Sequence, residues 1–141
     1  LPPKVDVPVY LVDDPRYFGA GSAYVQEDDG ERFIFFARAA LELFRRPELA
    51  WRPDIVHSHD WQTGIVPNWL ATIYRDDPAL SGAASILTVH DVVHQGILGY
   101  HVLELAGLRA YGFITHPDIP ELAELVNLLG RGIMYADVVT T

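Results

Sequence analysis

Apolar residues recur at helical spacing in three stretches of this chain, and short β-rich runs separate them. Between Glu31 and Arg46, Phe33, Phe36, Ala37, Ala40, Leu41 and Phe44 return every three or four residues, which predicts a helix with one core face. Arg38, Glu42 and Arg46, four apart, fall on its exposed side, and Pro47 stops it. Ile65, Val66, Trp69, Leu70 and Ile73 make a second stripe from Thr63 to Arg75. Proline is tolerated only in a first helical turn, so Pro67 places that start near Thr63 or Gly64 and leaves Asp60, Trp61 and Gln62 in the loop before it. A third helix is predicted from Glu121 to Tyr135, on Leu122, Leu125, Val126, Leu129 and Ile133. Strands are predicted over Val7 to Val12, beginning after Pro8, and over Asp54 to His57, Ser85 to Val89 and Val138 to Thr141. Strands and helices that alternate in this way build a parallel sheet through right-handed crossovers, so the expected class is α/β with a doubly wound, Rossmann-like sheet.

The 141 residues suit one domain with its own core, half of them being hydrophobic. Ten Lys and Arg against 19 Asp and Glu leave a formal charge of −9, which argues against a nucleic-acid backbone as partner. The longest apolar run, Phe33 to Ala37, is far short of the roughly 20 residues that span a bilayer, so no membrane is expected. Absence of cysteine removes disulfides and thiolate zinc sites and is compatible with a cytoplasmic protein. The chain opens Leu1-Pro2-Pro3-Lys4 and stops on the β-branched run Val138-Val139-Thr140-Thr141, which reads as a single-domain fragment of something longer.

Candidate chemistry gathers where a parallel sheet presents its strands' carboxyl ends. His57-Ser58-His59-Asp60-Trp61-Gln62 follows one predicted strand, and His90-Asp91-Val92-Val93-His94-Gln95-Gly96 follows another; together they hold four of the six histidines. If the two strands are neighbours, His59, Asp60, His90 and Asp91 line one crevice, and Trp61 offers an apolar face for a sugar or a base. The long Gly-, Asp- and Tyr-rich stretch from Asp13 to Gly30 is a candidate binding loop. Other readings compete. His57 and His59, two apart on a strand, point the same way and would suit a metal-dependent hydrolase. His90-x-x-x-His94 imitates a zinc-protease motif, but that motif needs a helix and this segment follows a strand. The residues would also serve as plain loop and capping groups, Asp60 accepting backbone N–H bonds near the next helix.

Pro53-Asp54-Ile55-Val56-His57-Ser58-His59-Asp60-Trp61-Gln62-Thr63 resembles a segment typical of bacterial glycogen synthases and plant starch synthases, P-D-[VI]-[VI]-H-x-H-D-W-[HQ]-[TA]. Thr88 to Gly96 is similar to that family's T-[VI]-H-N-x-x-[YH]-Q-G. Tyr10-Leu11-Val12-Asp13 with Tyr17-Phe18, Glu31-Arg32-Phe33, and Asn127 through Thr141 resemble further family segments in the same order. The resemblance implies a fragment of the acceptor-side N-terminal domain of a two-domain GT-B glycosyltransferase, lacking its first strand and the C-terminal donor domain. It implies glucose transfer from ADP-glucose to the non-reducing end of an α-1,4-glucan, with retention. No cofactor and no metal are implied, the nucleotide-sugar donor being a substrate and the glucan the acceptor partner. On the same footing, His90 would line the pocket of the transferred glucose and Asp60 would stand beside the reacting hydroxyl. Trp61, Asp91, Gln95, Gly96 and Tyr24 would contact substrate. Asp91 stands where the family has Asn, so a group that donates and accepts becomes a charged acceptor. The family's K-T-G-G-L donor-phosphate loop is not in these residues, nor are the Arg, Lys and Glu groups of the other domain, so the fragment alone is not expected to catalyse. A non-catalytic glucan-binding relative is the remaining alternative.

Overall fold

The computed structural model describes residues 7–19, 28–49, 51–108 and 125–141. In chain order they form a single helical turn α1 (Pro15–Phe18), α2 (Asp29–Leu43), β1 (Ile55–His59), α3 (Ile65–Ala71) and β2 (Ala84–Thr88). There follow β3 (Ile97–Gly99), α4 (His101–Leu105), β4 (Leu125–Asn127), α5 (Leu128–Tyr135) and β5 (Val138–Thr140). β1, β2 and β5 make a parallel sheet in the order β1-β2-β5, as expected of an α/β chain, and β3 and β4 pair antiparallel in a separate ribbon.

Several boundaries differ from those the periodicity predicts. No strand forms at Val7 to Val12; Val9 and Leu11 are 79% and 88% exposed, and no other described strand pairs with this run. A short extended run has no stability of its own without a partner row. α2 begins at Asp29 and ends at Leu43, and its buried stripe is Ile34, Ala37 and Leu41, turned slightly from the predicted face. Phe33 is half-buried, its ring meeting Trp61 edge-on at 5.1 Å. A 3₁₀ turn over Trp61–Thr63 precedes α3, so the helix starts at Ile65 and Pro67 still lies in its first turn. The third predicted helix is shorter too. Leu125 to Asn127 are spent on β4 before α5 starts at Leu128, and the stretch 121–124 lies outside the described residues.

The core lies on one side of the sheet. Trp69 on α3 is fully buried and donates its indole N–H to the Ala106 carbonyl at 2.8 Å, locking α3 to the end of α4. α3 and α5 cross without room for side chains: a Cβ on Gly64 would stand 2.5 Å from the Leu128 carbonyl oxygen, and one on Gly132 would stand 2.7 Å from that of Gly64. Arg131, buried at the same crossing, donates to the Asn68 side-chain oxygen at 2.8 Å, and loss of water pulls its pKa below the ordinary arginine value. Side chains alternate across a strand. Ser58, Ser85 and Leu87 accordingly face the core, whereas Ile55 and Val138 on the opposite face are about half exposed. Asp137 ties the third strand to the second, accepting from the Ser85 N–H at 2.7 Å and from its hydroxyl at 2.8 Å, bonds that hold the carboxyl below its usual pKa.

Candidate functional site at the carboxyl ends of the strands

The parallel register sets His59 of β1 opposite Thr88 of β2, and Thr88 opposite Thr140 of β5. The segments after β1 and β2 therefore leave the sheet side by side. Asp60, first after β1, extends the ladder by donating its N–H to the Thr88 carbonyl at 2.9 Å. Its backbone then turns through φ +54°, the only non-glycine residue in the left-handed region among those described. That conformation costs a non-glycine residue about 1 kcal/mol or more. The turn carries the carboxylate across to the neighbouring segment, where Oδ1 accepts from the His90 N–H at 2.7 Å and, more weakly, from the Asp91 N–H at 3.3 Å. Oδ2 makes no hydrogen bond to the other described residues. Asp60 thus accepts backbone N–H bonds, but from the second segment, and caps neither the 3₁₀ turn nor α3.

Three imidazoles stand in a row on the sheet face away from the core. The His57 and His59 rings are 4.3 Å apart between centroids, and those of His59 and His90 are 5.3 Å apart and nearly parallel. His59 Nδ1 lies 3.0 Å from His90 Nε2, within hydrogen-bond range. His57 Nε2 lies 2.7 Å from the Thr88 hydroxyl, which lies 2.7 Å from that of Thr140. Loss of water around part of the His59 ring, and then the neighbouring imidazoles of His57 and His90, push its pKa below the ordinary histidine value. Beside β1, a half-open apolar cleft of about 380 Å³ runs between α2 and the strand, and His57, His59 and Thr63 are among the residues that line it.

Local and longer-range contacts together hold the second segment. Asp91 bonds the His94 ring and accepts from the Val93 N–H at 2.7 Å, which keep its carboxyl below the usual range. The Gln95 side chain donates to the Val92 carbonyl and accepts from the Asn127 amide at 2.6 Å, while the Gln95 and Gly96 carbonyls accept from Leu129 and Leu128 at the start of α5. Gly96, at φ +60°, lies against the Trp61 ring; a Cβ there would stand 2.4 Å from Trp61 Cε3. The open stacking face expected of Trp61 is consequently taken up by the protein. The ring is half-buried between Gly96, Phe33 and both clusters of the core.

His59, Asp60, His90 and Asp91 thus converge as expected. Tyr24 lies outside the described residues, as does most of the candidate loop from Asp13 to Gly30. Thr88, Thr140 and Asn127 join the network without having been singled out. Nothing in their local pattern marks them, because only strand register and the approach of α5 bring them in. His90 to His94 is not helical, so the zinc-protease spacing has no common face on which to act. Among the described residues, no three His, Asp or Glu side chains are placed to hold a metal ion, and no helix is long and apolar enough to cross a membrane.

Comparison with known proteins matches residues 2–141 to the starch synthase catalytic domain. The chain belongs to that family. It is 42% identical over 135 residues to a glycogen synthase of Desulforudis audaxviator, covering 96% of this chain and 26% of that protein. A glycogen synthase of Thermotoga petrophila is likewise 42% identical, over 139 residues, with 99% and 28% covered. The solved catalytic domain of starch synthase IV from Arabidopsis thaliana, bound to ADP and acarbose, superimposes with a TM-score of 0.73 at 31% identity, over 89% of this chain and 25% of that one. Membership of the starch synthase family establishes the fold as a GT-B glycosyltransferase domain fragment and does not favour the metal-dependent hydrolase. The chain spans about a quarter of the length of the curated relatives it matches.

Proposed function

We propose that these residues are the acceptor-side portion of a retaining glucosyltransferase that moves glucose from ADP-glucose to the non-reducing end of an α-1,4-glucan. The observation that carries this reading is the Asp60 carboxylate, which spans two strands to bind the His90 and Asp91 backbone and so gathers both polar segments at one edge. A sugar transfer with oxocarbenium character needs positioned hydrogen-bonding groups and a dry site more than a strong isolated nucleophile. His90 supplies a ring nitrogen for a hydroxyl of the transferred glucose. Asp60 Oδ2, beside it, accepts from the reacting hydroxyl. Asp91 and Gln95 flank the acceptor, with Tyr24 as a further contact, and Trp61 acts through the Gly96 turn that it supports. A neutral glucan asks for no basic surface, so a net charge of −9 is no obstacle. A cytoplasmic location agrees with the lack of cysteine.

The test is glucose incorporation from labelled ADP-glucose into a maltooligosaccharide by the full-length protein. His90→Ala should lower turnover by about a hundredfold or more with the fold retained by circular dichroism. Near-normal turnover by that variant would end the reading. Glucan binding with no transfer by the unaltered protein would select the non-catalytic relative instead.

A further inference from the structure

We infer that His59 is a positioning residue for His90, fixing through its Nδ1 the orientation and tautomer of the ring that His90 presents to the sugar. The inference rests on the proposed role of His90 and concerns what makes that role possible.

A neutral imidazole has one N–H and one bare nitrogen, so a hydrogen bond between two such rings ties their tautomers together. If His59 carries its proton on Nδ1, it donates to His90 Nε2, and a neutral His90 must then carry its own proton on Nδ1. If the His59 proton is on Nε2, the roles reverse and His90 Nδ1 becomes an acceptor. The 3.0 Å contact therefore couples the His59 tautomer to what the sugar hydroxyl meets at Nδ1, a donor or an acceptor, on the His90 nitrogen with no partner among the described residues. Near-parallel rings at 5.3 Å also limit how far His90 can swing. On its other side His90 is held through its backbone by Asp60, so the ring is constrained from two directions.

The His59 ring is not needed for the local fold. The Thr63 hydroxyl accepts from the His59 N–H and donates to the His59 carbonyl, each at 2.7 Å, so the turn into α3 is closed by the Thr63 side chain on the His59 backbone, without the imidazole. The titratable groups facing the ring are His57, Asp60 and His90; the α2 residues that share a cleft lining with His59, among them Phe36, Ala40 and Phe44, carry no charge. A partial loss of water and two neighbouring imidazoles hold the exposed His59 ring below the ordinary histidine pKa, which favours the neutral form that can act as a tautomeric partner. Outer partners of this kind typically change activity by about 10–100-fold when removed.

Two variants of the full-length protein separate this from a packing role. His59→Phe keeps a flat ring with no nitrogen, and His59→Asn puts an amide close to the Nδ1 position. His59→Phe should lower kcat by about tenfold or more, with the glucan KM within about threefold, and should move the acid limb of the pH–rate profile; His59→Asn should restore much of both. In protein carrying ¹⁵N-labelled histidine, assigned by loss of signal in His90→Gln, the His90 nitrogens should report one dominant tautomer that changes in His59→Phe. Unaltered kcat and pH profile in His59→Phe would overturn the inference, and so would a wild-type His90 whose two ring nitrogens average equally, an outcome that needs no variant to fold. Full turnover by His90→Ala would instead remove the functional reading beneath it.

Discussion

The two polar segments at the sheet edge are held in opposite ways. The one after β1 is closed locally: Thr63 brackets His59 four residues away, a 3₁₀ turn leads into α3, and the only awkward backbone angle is at Asp60. The one after β2 has local bonds from Asp91 and Gln95, but its two ends are held from outside, by Asp60 at one and by Trp61, Asn127 and the start of α5 at the other. One is the holder, the other the held. Loss of the Asp60 carboxylate should therefore release the start of the second segment, and the strain at φ +54° marks where the two segments meet.

The sharpest break in this asymmetry is at Asp60. Asp60→Ala should cut glucose transfer by about a thousandfold, because it removes the oxygen proposed for the reacting hydroxyl and frees the His90 and Asp91 N–H groups together. Asp60→Asn keeps an oxygen for those N–H groups, but removes the charge and puts an NH₂ donor in place of the second oxygen. Hydrogen exchange at His90 and Asp91 should stay slow in Asn and quicken in Ala while both lose activity; equal exchange in all three proteins would refute the holding role. Next in size is Gly96→Ala, which combines a Cβ at 2.4 Å from the Trp61 ring with a left-handed backbone. About 2–4 kcal/mol of destabilisation is expected in urea unfolding followed by Trp fluorescence. Asn127→Ala removes both the cap on the Gly130 N–H and the bond to Gln95, and should cost about 1–2 kcal/mol by the same assay.

Asp91→Asn is expected to matter least, changing kcat by no more than about threefold, since the exposed His94–Asp91 pair lies wholly within the held segment. The Asp91 pKa is lowered in the folded protein, so its contribution is present above the ordinary aspartate range and fades as pH falls through the lowered value. Unfolding curves of the two proteins should therefore separate slightly near neutrality and converge as pH falls below the ordinary aspartate range and on through the lowered value. A large activity loss in Asp91→Asn near neutrality would show that the second segment governs itself.

Legibility followed range along the chain. The parallel strands could be read in Asp54 to His57, Ser85 to Val89 and Val138 to Thr141, since β-branched runs flanked by turn residues declare themselves locally. The stripe Ile34, Ala37 and Leu41 fell within the predicted helix although its face was turned. Leu125 and Val126 fit a helical period as well as a strand, and only pairing with Leu98 and Gly99, about 26 residues earlier, makes them β4. Val7 to Val12 shows the converse, a run with strand composition and no partner row.

What the residues themselves determined was the α/β class, the kind of chemistry available and its position after two strands, because alternation, periodicity and residue type are local properties. Tertiary structure alone decided that His59 meets His90, that Asp60 turns its carboxylate onto the neighbouring backbone, and that the Trp61 face is covered by Gly96. Those three contacts join atoms some thirty residues apart in the chain, and hydrogen bonds and van der Waals contact act only over a few ångströms. Strand register and the glycine crossing of α3 and α5 bring them within that reach.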